Sequence, residues 1–205
     1  MNWVNSYPVT SMRYGIDHFA PAFFNAKPDL AVSGPNVGAN LGLAVFFSGT
    51  VGAASHAVQE HGIPGLAFSG RSGSRTAWNA TGPYPLASRV YADLATHVTE
   101  RIIQAGTPYL PGGVYLNVNF PKVSDSECSG KNEVKYVLSR IFDTLEEDDV
   151  ETCGSKKLPS ETSVVHSDGC YASISVGLAE TKKDANSTLQ AEVLHKLGDL
   201  VSCLP

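Results

Sequence analysis

Residues 33–54 combine side-chain oxygens suited to a hard metal ion with backbone N–H groups suited to a phosphate. Asn36 and Asn40 stand four residues apart in a glycine-rich turn, and each offers a carbonyl oxygen. The sequence Ser48-Gly49-Thr50 follows at the start of an expected helix, whose free N–H groups and positive dipole end favour an anion. This arrangement predicts a site where a phosphate ester and a divalent cation could meet.

A strand and a helix must hold this turn in place. Residues 30–32 follow the turn-like sequence Lys27-Pro28-Asp29 and are typical of a short buried strand. Residues 51–60 predict a helix that Gly62 ends. Because open α/β sheets bind ligands beyond the carboxyl ends of their strands, the turn lies where a ligand site is expected.

Two nucleotide-binding motifs are excluded by the spacing of the glycines. Glycines at 34, 38 and 42 do not form G-x-G-x-x-G, and the chain contains no G-x-x-x-x-G-K-[ST]. Glycine-rich turns between a strand and a helix are nevertheless common, and Ser or Thr at a helix start often serves only as a cap. The local pattern alone leaves a ligand site and a structural turn as alternatives.

Several segments resemble the SurE family of metal-dependent phosphomonoesterases and nucleotidases. SGPNVGANLG (33–42), FSGTVGAA (47–54) and HGIPGLAFS (61–69) resemble the core signature of that family. GGVYLNVNFPK (112–122) resembles its strand that ends in Asn-x-Asn-x-Pro, and GCYASISV (169–176) resembles its late GYVSITPL strand. The opening PVTSMRYGID and the cysteines of the second half are most similar to fungal SurE-like acid phosphatases.

The resemblance implies a hydrolase of the acid phosphatase or 5'(3')-nucleotidase type. It implies that Asn36 is a ligand of Mg²⁺ or Mn²⁺ and that Asn40 lines the substrate pocket. Ser48, Gly49 and Thr50 match the helix start that binds phosphate. The expected partners are small phosphate esters or nucleoside monophosphates, and a homo-oligomer is a further expectation.

The resemblance also implies the fold. We expect one SurE-like domain over residues 1–205, with a Rossmann-like, mostly parallel α/β sheet flanked by helices and a C-terminal β-hairpin or extension. In the family, two aspartates of an Asn-Asp-Asp-Gly strand end and a later serine complete the metal site. Neither element is found here, and the early carboxylates Asp17 and Asp29 form no acidic pair. We therefore expect a domain whose N-terminal strand is missing.

The missing acids have a chemical consequence. Divalent cations such as Mg²⁺ are usually held by one or two carboxylates, so a single asparagine carbonyl is expected to bind weakly. Without the ion, the attacking water is not activated and the phosphoryl charge is not neutralised. The sequence thus predicts impaired phosphomonoesterase activity. The alternatives are a non-catalytic phosphate-binding or structural remnant, or an incomplete gene model.

Composition narrows the class of protein further. A chain of 205 residues with 42% hydrophobic residues is long enough to bury a sizeable core. The net charge of −5 argues against a nucleic-acid polymer as partner, and no apolar run reaches the length of a membrane span. The first residues lack the basic start and apolar core of a signal peptide, which predicts a cytoplasmic chain if it is expressed as written.

The cysteines and two glycosylation sequons instead favour a secreted or vacuolar parent protein. No C-x-x-C pair occurs, which disfavours a zinc site. Two disulfides with three possible pairings, or four free thiols, are the alternatives for Cys128, Cys153, Cys170 and Cys203. The sequons are Asn79-Ala80-Thr81 and Asn186-Ser187-Thr188.

The rest of the chain predicts further elements and side chains of interest. The acidic run 146–149 predicts a solvated loop rather than a metal site. His56 and His61 are expected on different faces, as surface or cap residues. Arg71 and Arg75 either reach a phosphate or lie in a solvated loop. The first expected helix is capped by Thr10 or Ser11 and has Met12, Ile16, Phe19 and Phe23 on one face. Two further helices are expected over residues 86–105 and 189–204. The expected strands are 63–68, 114–120 and 171–176, together with a hairpin strand 134–141 that leaves the core.

Overall fold

One sheet of five strands organises the part of the chain that the structure describes. This computed structural model describes residues 3–74, 76–77, 79–143 and 147–205. The strands are β1 (Ala31–Val37), β2 (Gly65–Gly70), β3 (Val114–Phe120), β4 (Lys135–Ser139) and β5 (Tyr171–Leu178). The helices are α1 (Pro8–Tyr14), α2 (Ala20–Phe24), α3 (Gly49–His61), α4 (Leu86–Gln104), α5 (Glu161–His166) and α6 (Ser187–Leu197).

The strands are ordered β1-β2-β3-β5-β4 across the sheet. β1, β2 and β3 run parallel to one another, β3 pairs antiparallel with β5, and β5 pairs parallel with β4. This confirms the expected mostly parallel α/β sheet. It corrects the expectation for residues 134–141, because β4 is an edge strand of the same sheet rather than one arm of a hairpin that leaves the core.

The two faces of the sheet differ in polarity, and β3 shows why. Its sequence VYLNVNF alternates, so Leu116 and Val118 point to one face while Asn117 and Asn119 point to the other. The apolar face packs against α4 and α6 in the largest buried cluster. The opposite face is apolar near Tyr115, where α3 covers it, and polar toward the carboxyl ends of β1–β3.

The helix predictions are confirmed for α3 and α4. Ser48 caps α3 by accepting from Val51 N, and Gly62 ends it in the left-handed conformation. In α4, residues spaced by four are all buried, as the sequence predicts: Val90, Leu94, Val98 and Ile102.

The first and last helices differ from their predictions. α1 begins at Pro8 with Tyr7 as its N-cap, so neither Thr10 nor Ser11 caps it. The expected apolar face holds only in part, because Ile16 is buried while Phe23 is 65% exposed. α6 ends at Leu197, and a 3₁₀ turn follows it where a longer helix was predicted.

Two disulfides cross-link the second half of the chain. Cys128 bonds to Cys170 and Cys153 bonds to Cys203, with Cα–Cα distances of 5.4 and 5.8 Å. The structure thereby selects one of the three pairings that the sequence left open. Among the described residues, no helix combines the length and apolar character that crossing a membrane requires.

The packing of α3 on β2 generates a prediction about two glycines. A Cβ on Gly65 would lie 2.5 Å from Ala54 O, whereas a Cβ on Gly52 would meet nothing within 4 Å. We expect Gly65→Ala to lower the free energy of unfolding by about 1–3 kcal/mol or more, because the helix must move away from the sheet. Gly52→Ala is expected to raise it by about 0.5–1 kcal/mol through helix propensity. Urea unfolding followed by circular dichroism measures both, and equal effects would contradict the packing described.

Candidate functional site

A bulge in β1 decides where Asn36 points. Ser33 is in register with Ala67, and Asn36 is in register with Ser69, so β1 uses three residues where β2 uses two. The extra residue turns Asn36 to the face that Ser33 also occupies, whereas regular alternation would send it to the other side. Gly34 makes this possible, since its φ of +98° suits glycine and a Cβ there would collide with Phe68 O.

The Asn36 amide has one orientation fixed by its neighbours. Its Nδ2 donates to Gly38 O at 2.7 Å and to Val37 O at 3.2 Å. Its Oδ1 therefore faces inward, where it accepts from Asn40 Nδ2, Thr50 Oγ1 and Ser69 Oγ at 2.8–2.9 Å. The structure thus brings Asn36, Asn40 and Thr50 together, as the sequence predicts, around a single carbonyl oxygen.

Asn40 is buried and is held through its backbone as well as its side chain. Its N–H donates to Asn119 Oδ1 at 2.8 Å, and its carbonyl oxygen accepts from Asn117 Nδ2 at 2.8 Å and from Asn119 Nδ2 at 3.2 Å. Its own Nδ2 donates to Asn36 Oδ1 and to Ser69 Oγ. In this geometry Asn40 shapes the wall of the site, and its amide hydrogens are already used.

The start of α3 leaves backbone donors open. Ser48 Oγ accepts from Val51 N at 3.1 Å, so this hydroxyl serves as the helix cap. No acceptor is found among the described residues for the N–H groups of Gly49 and Thr50. Gly49 lies close to α1, where a Cβ would come within 2.8 Å of Pro8 Cγ. An anion at this helix end would meet two free N–H groups and the positive end of the helix dipole.

The neutral oxygens of the site do not by themselves fit Mg²⁺ or Mn²⁺. Asn36 Oδ1 already accepts three hydrogen bonds, and its neighbours Ser69 and Thr50 add hydroxyl groups only. Within the described ranges there is no group of three or more His, Cys, Asp or Glu residues that could hold a metal ion. Because such cations usually take at least one carboxylate, the assignment of Asn36 as a metal ligand stays a prediction.

Four residues of the site carry no assigned role in the sequence-based prediction: Ser69, Asn117, Asn119 and Glu161. Asn117 and Asn119 had a detectable signal, because an Asn-x-Asn pair on a strand places both amides on one face. Ser69, the last residue but one of β2, is in register with both Asn36 and Asn119, which makes one polar row across three strands. Glu161 had no local signal, since it contacts Gly42 across 119 residues of sequence.

Glu161 is a fully buried carboxyl group at the first position of α5. Its Oε1 accepts from Gly42 N at 2.8 Å, and its Oε2 accepts from Asn117 Nδ2 at 2.8 Å and from Ser175 Oγ at 3.1 Å. Burial raises the pKa of Glu161 to about 8, even though these three hydrogen bonds lower it. The residue is thus a neutral acid over much of the physiological range.

Several other predicted side chains lie elsewhere. Arg71 donates to Val165 O at 2.6 Å, and Arg75 lies outside the described residues. His56 and His61 are partly buried with their rings 5.5 Å apart, which corrects the expectation that they lie on different faces. His61 is the last residue of α3, beside its C-cap Gly62. Five positions apart in α3, they meet because His61 lies in the last turn.

The acidic run is only partly solvated. Glu147 and Asp148 are exposed as predicted, while Glu146 lies outside the described residues. Asp149 contradicts the prediction, because it is buried and pairs with Arg140 at 2.8 Å. The charge of Asp149 is therefore compensated inside the protein rather than by water.

Comparison with protein families and characterised relatives agrees with the resemblance found in the sequence. The family model described as "Survival protein SurE" matches residues 1–142. The chain is 34% identical over 226 aligned positions to a protein named "Acid phosphatase" from Yarrowia lipolytica, covering 97% of this chain and 62% of that protein. It is 36% identical over 143 positions to "5'-nucleotidase SurE" from Gloeobacter violaceus, covering 68% of this chain and 46% of the relative.

A solved structure supports the fold. The SurE protein from Aquifex aeolicus superposes with a TM-score of 0.56 at 21% sequence identity, covering 93% of this chain and 73% of that one. At this identity the likeness shows a shared fold. The chain spans about half to three fifths of the length of the curated relatives named above.

The burial of Glu161 predicts a pH dependence of stability. The unfolded chain loses this proton near the ordinary value of 4.5, whereas the folded chain keeps it up to about pH 8. Between these values the native state binds the extra proton, so the free energy of unfolding falls as the pH rises. We expect Glu161→Gln, which cannot ionise, to flatten this slope in urea unfolding measured from about pH 5 to about pH 9.

Glu192→Gln serves as the control, because Glu192 is an exposed glutamate on α6. This variant should keep the slope of the wild type. Parallel slopes for the wild type and Glu161→Gln would show that Glu161 does not titrate as its burial implies.

Proposed function

Because the chain belongs to the SurE family, we propose that its site binds the phosphate group of a small phosphate ester or nucleoside monophosphate. The names of the relatives, acid phosphatase and 5'-nucleotidase, support phosphomonoester hydrolysis as the activity of the protein to which these residues belong. The observation that carries the proposal is the open helix start of α3, where the N–H groups of Gly49 and Thr50 find no acceptor among the described residues and Thr50 Oγ1 donates to Asn36 Oδ1.

The roles we propose follow from this arrangement. The N–H groups of Gly49 and Thr50 hold phosphate oxygens, while the dipole of α3 favours their negative charge. Ser48 fixes the helix end as its cap, and Asn36 and Asn40 hold Thr50 and Ser69 in a single network. The site therefore needs little rearrangement to receive an anion.

A divalent cation is the proposed cofactor, with weak binding by these residues alone. SurE-family enzymes generally depend on a divalent metal, and Asn36 is our proposed ligand for Mg²⁺ or Mn²⁺. A bound ion would supply charge neutralisation at the phosphoryl oxygens. Since Asn36, Thr50 and Ser69 offer neutral oxygens only, we derive no catalytic step through the ion. We propose that phosphate binding by the 205 residues exceeds their ability to hydrolyse esters.

A non-catalytic phosphate-binding role is the second candidate. It is favoured by the neutrality of the oxygens around Asn36, since charge-free ligands leave little to activate a water molecule. Both candidate functions include phosphate binding. Only the phosphomonoesterase also hydrolyses an ester, so a measurement of hydrolysis distinguishes the two.

Binding without efficient turnover is testable on the chain as it stands. We expect added inorganic phosphate to shift the backbone amide resonances of Gly49 and Thr50 in ¹⁵N-labelled protein. Ser187 and Thr188 are the matched control, because they occupy the same positions in α6, where Asn186 caps the helix as Ser48 caps α3. Under the same conditions, hydrolysis of p-nitrophenyl phosphate should stay near background with added Mg²⁺ or Mn²⁺.

Two results would contradict these expectations separately. Equal or absent shifts at both helix starts would remove the proposed phosphate site. A robust hydrolysis rate that the metal stimulates and EDTA abolishes would show that these residues already form a complete catalytic centre.

We also propose that the chain self-associates through the outer edge of β1. This strand pairs with β2 on one side only among the described residues, and Val32 is 46% exposed. Open strand edges with apolar side chains pair readily with other chains. We expect Val32→Lys to shift the protein toward monomer in size-exclusion chromatography with light scattering, because charged edge residues oppose pairing.

Ile103→Lys is the matched control, since Ile103 is similarly exposed at 48% but lies on α4. It should leave the oligomeric state unchanged. A wild-type chain that is monomeric at all concentrations would disprove self-association.

A further inference from the structure

Glu161 is a buried acid that the proposed phosphate site does not use directly. Its side chain is fully buried, and among the described residues no Lys or Arg forms an ion pair with it. Burying an acidic group without a cation is unfavourable, whether the group ionises or is held neutral at its raised pKa. A buried acid at this place therefore needs a compensating set of contacts.

The contacts of Glu161 join three separate parts of the fold. Gly42 belongs to the segment that follows β1, Asn117 to β3 and Ser175 to β5, and each donates a hydrogen bond to the carboxyl group. Ser175 Oγ also lies 2.8 Å from Ser139 Oγ on β4. The carboxyl group is thus a junction between the sheet and the segment that carries Asn40.

Two of these contacts lead directly to Asn40. Asn117 Nδ2 donates both to Glu161 Oε2 and to Asn40 O, each at 2.8 Å. Gly42 lies two residues after Asn40, and its N–H donates to Glu161 Oε1. The segment 40–42 is therefore fixed at both of its ends, with Asn119 adding a bond to Asn40 N.

We propose that Glu161 is a positioning residue, which holds the segment 40–42 against β3 and so aims the Asn40 amide at Asn36 and Ser69. This inference rests on the proposed function, because Asn36 and Thr50 form the wall of the phosphate site. Glu161 itself touches neither a ligand nor the helix start of α3. It acts through Asn117 and Gly42.

The chemistry of the carboxyl group suits this task better than that of an amide. As a carboxylate it accepts at both oxygens. When Oε2 is protonated, its bond with Ser175 reverses and Oε2 donates to Ser175 Oγ, while Oε1 still accepts from Gly42 N and Oε2 from Asn117 Nδ2. A glutamine has one accepting oxygen, so its NH₂ group would face either Gly42 N–H or the donors from Asn117 and Ser175. Glu161→Gln therefore keeps the shape of the side chain and breaks one end of the junction.

Two other titratable groups lie near Glu161, the partly buried Asp184 and the buried Tyr115. Asp184 accepts from Ile141 N and Phe142 N, and burial raises its pKa; its charge further disfavours ionisation of Glu161. Burial also raises the pKa of Tyr115, whose hydroxyl finds no partner among the described residues. Titration of Glu161 near pH 8 is thus separable from that of Tyr115.

The experiment follows side-chain amide resonances in the full ¹⁵N-labelled chain, for the wild type, Glu161→Gln and the exposed control Glu192→Gln. Resonances of the Asn40 and Asn117 NH₂ groups are recorded from about pH 6 to about pH 9, a range that spans the raised pKa of Glu161, about 8. The affinity for inorganic phosphate is measured on the same samples by calorimetry, at one fixed pH.

We expect the Asn40 and Asn117 resonances of the wild type to titrate together, with a midpoint near pH 8. In Glu161→Gln both should be displaced and lose that titration. Phosphate affinity should fall about tenfold or more, a loss comparable to that caused by removing a partner that orients a metal ligand. Glu192→Gln should match the wild type in every respect.

The result that overturns the inference is an Asn40 resonance that neither titrates with Asn117 nor moves in Glu161→Gln. If Glu161→Gln does not fold, the titration of the wild type alone decides. A wild type that binds no phosphate would refute the proposed function, while the coupled titration of Asn40 and Asn117 would still establish the positioning role. If Glu161→Gln displaces the Asn40 resonance but leaves the phosphate affinity unchanged, the proposed link between the position of Asn40 and phosphate binding is refuted.

Discussion

The extra residue that β1 carries between Ser33 and Asn36 is the constraint on which the site depends. Side chains of a strand alternate, so a change of one position moves a residue to the other side of the sheet. At Asn36 that change brings the amide to the polar side, where Ser69 and Asn119 continue the same row on β2 and β3. The bulge brings Gly34 so close to the backbone of β2 that a residue with a Cβ would not fit there.

The network that follows from this constraint is made of neutral groups that hydrogen-bond to one another, while Asn117 Oδ1 finds no partner among the described residues. The amides of Asn36, Asn40, Asn117 and Asn119 are linked by short hydrogen bonds, and a carboxyl group at its far side stays protonated through burial. Such a network rigidifies its surroundings because each member is fixed by the next. The network fixes the positions of the side chains around the site and contributes no net charge. The free N–H groups at the start of α3 add a positive potential directed at the site.

The fold class could be expected from the family resemblance, and several elements near the site also carry local signals. The cap at Ser48, the glycine at 62 and the strand predicted over 114–120 each depend on a few neighbouring residues, and the structure confirms them. The direction of β4 was not predictable, since a short apolar strand pairs equally well in either orientation until its neighbour is known. The cluster around Asn36 was partly predictable, because residues 36, 40 and 50 are close in sequence.

Glu161 and Ser69 required the tertiary structure. Ser69 resembles any small residue at the end of a buried strand, and only the register with Asn36 gives it a role. Glu161 meets Gly42 because β5 and α5 return beside β3, which no short-range pattern encodes. Residues that position a site without lining it are generally recognised from contacts between segments that are distant in sequence.

The two disulfides give the chain a covalent topology whose loops overlap. One loop closes between Cys128 and Cys170 and the other between Cys153 and Cys203, so residues 153–170 belong to both. Glu161 lies inside that shared segment, whereas Asn36 and Asn40 lie in the half of the chain without cross-links. An unfolded chain with intact bridges therefore searches fewer conformations around Glu161 than around Gly42 and Asn117, which it contacts from outside both loops. The part of the site that is most distant in sequence from Asn36, around Glu161, is therefore the part whose conformations the disulfides already restrict.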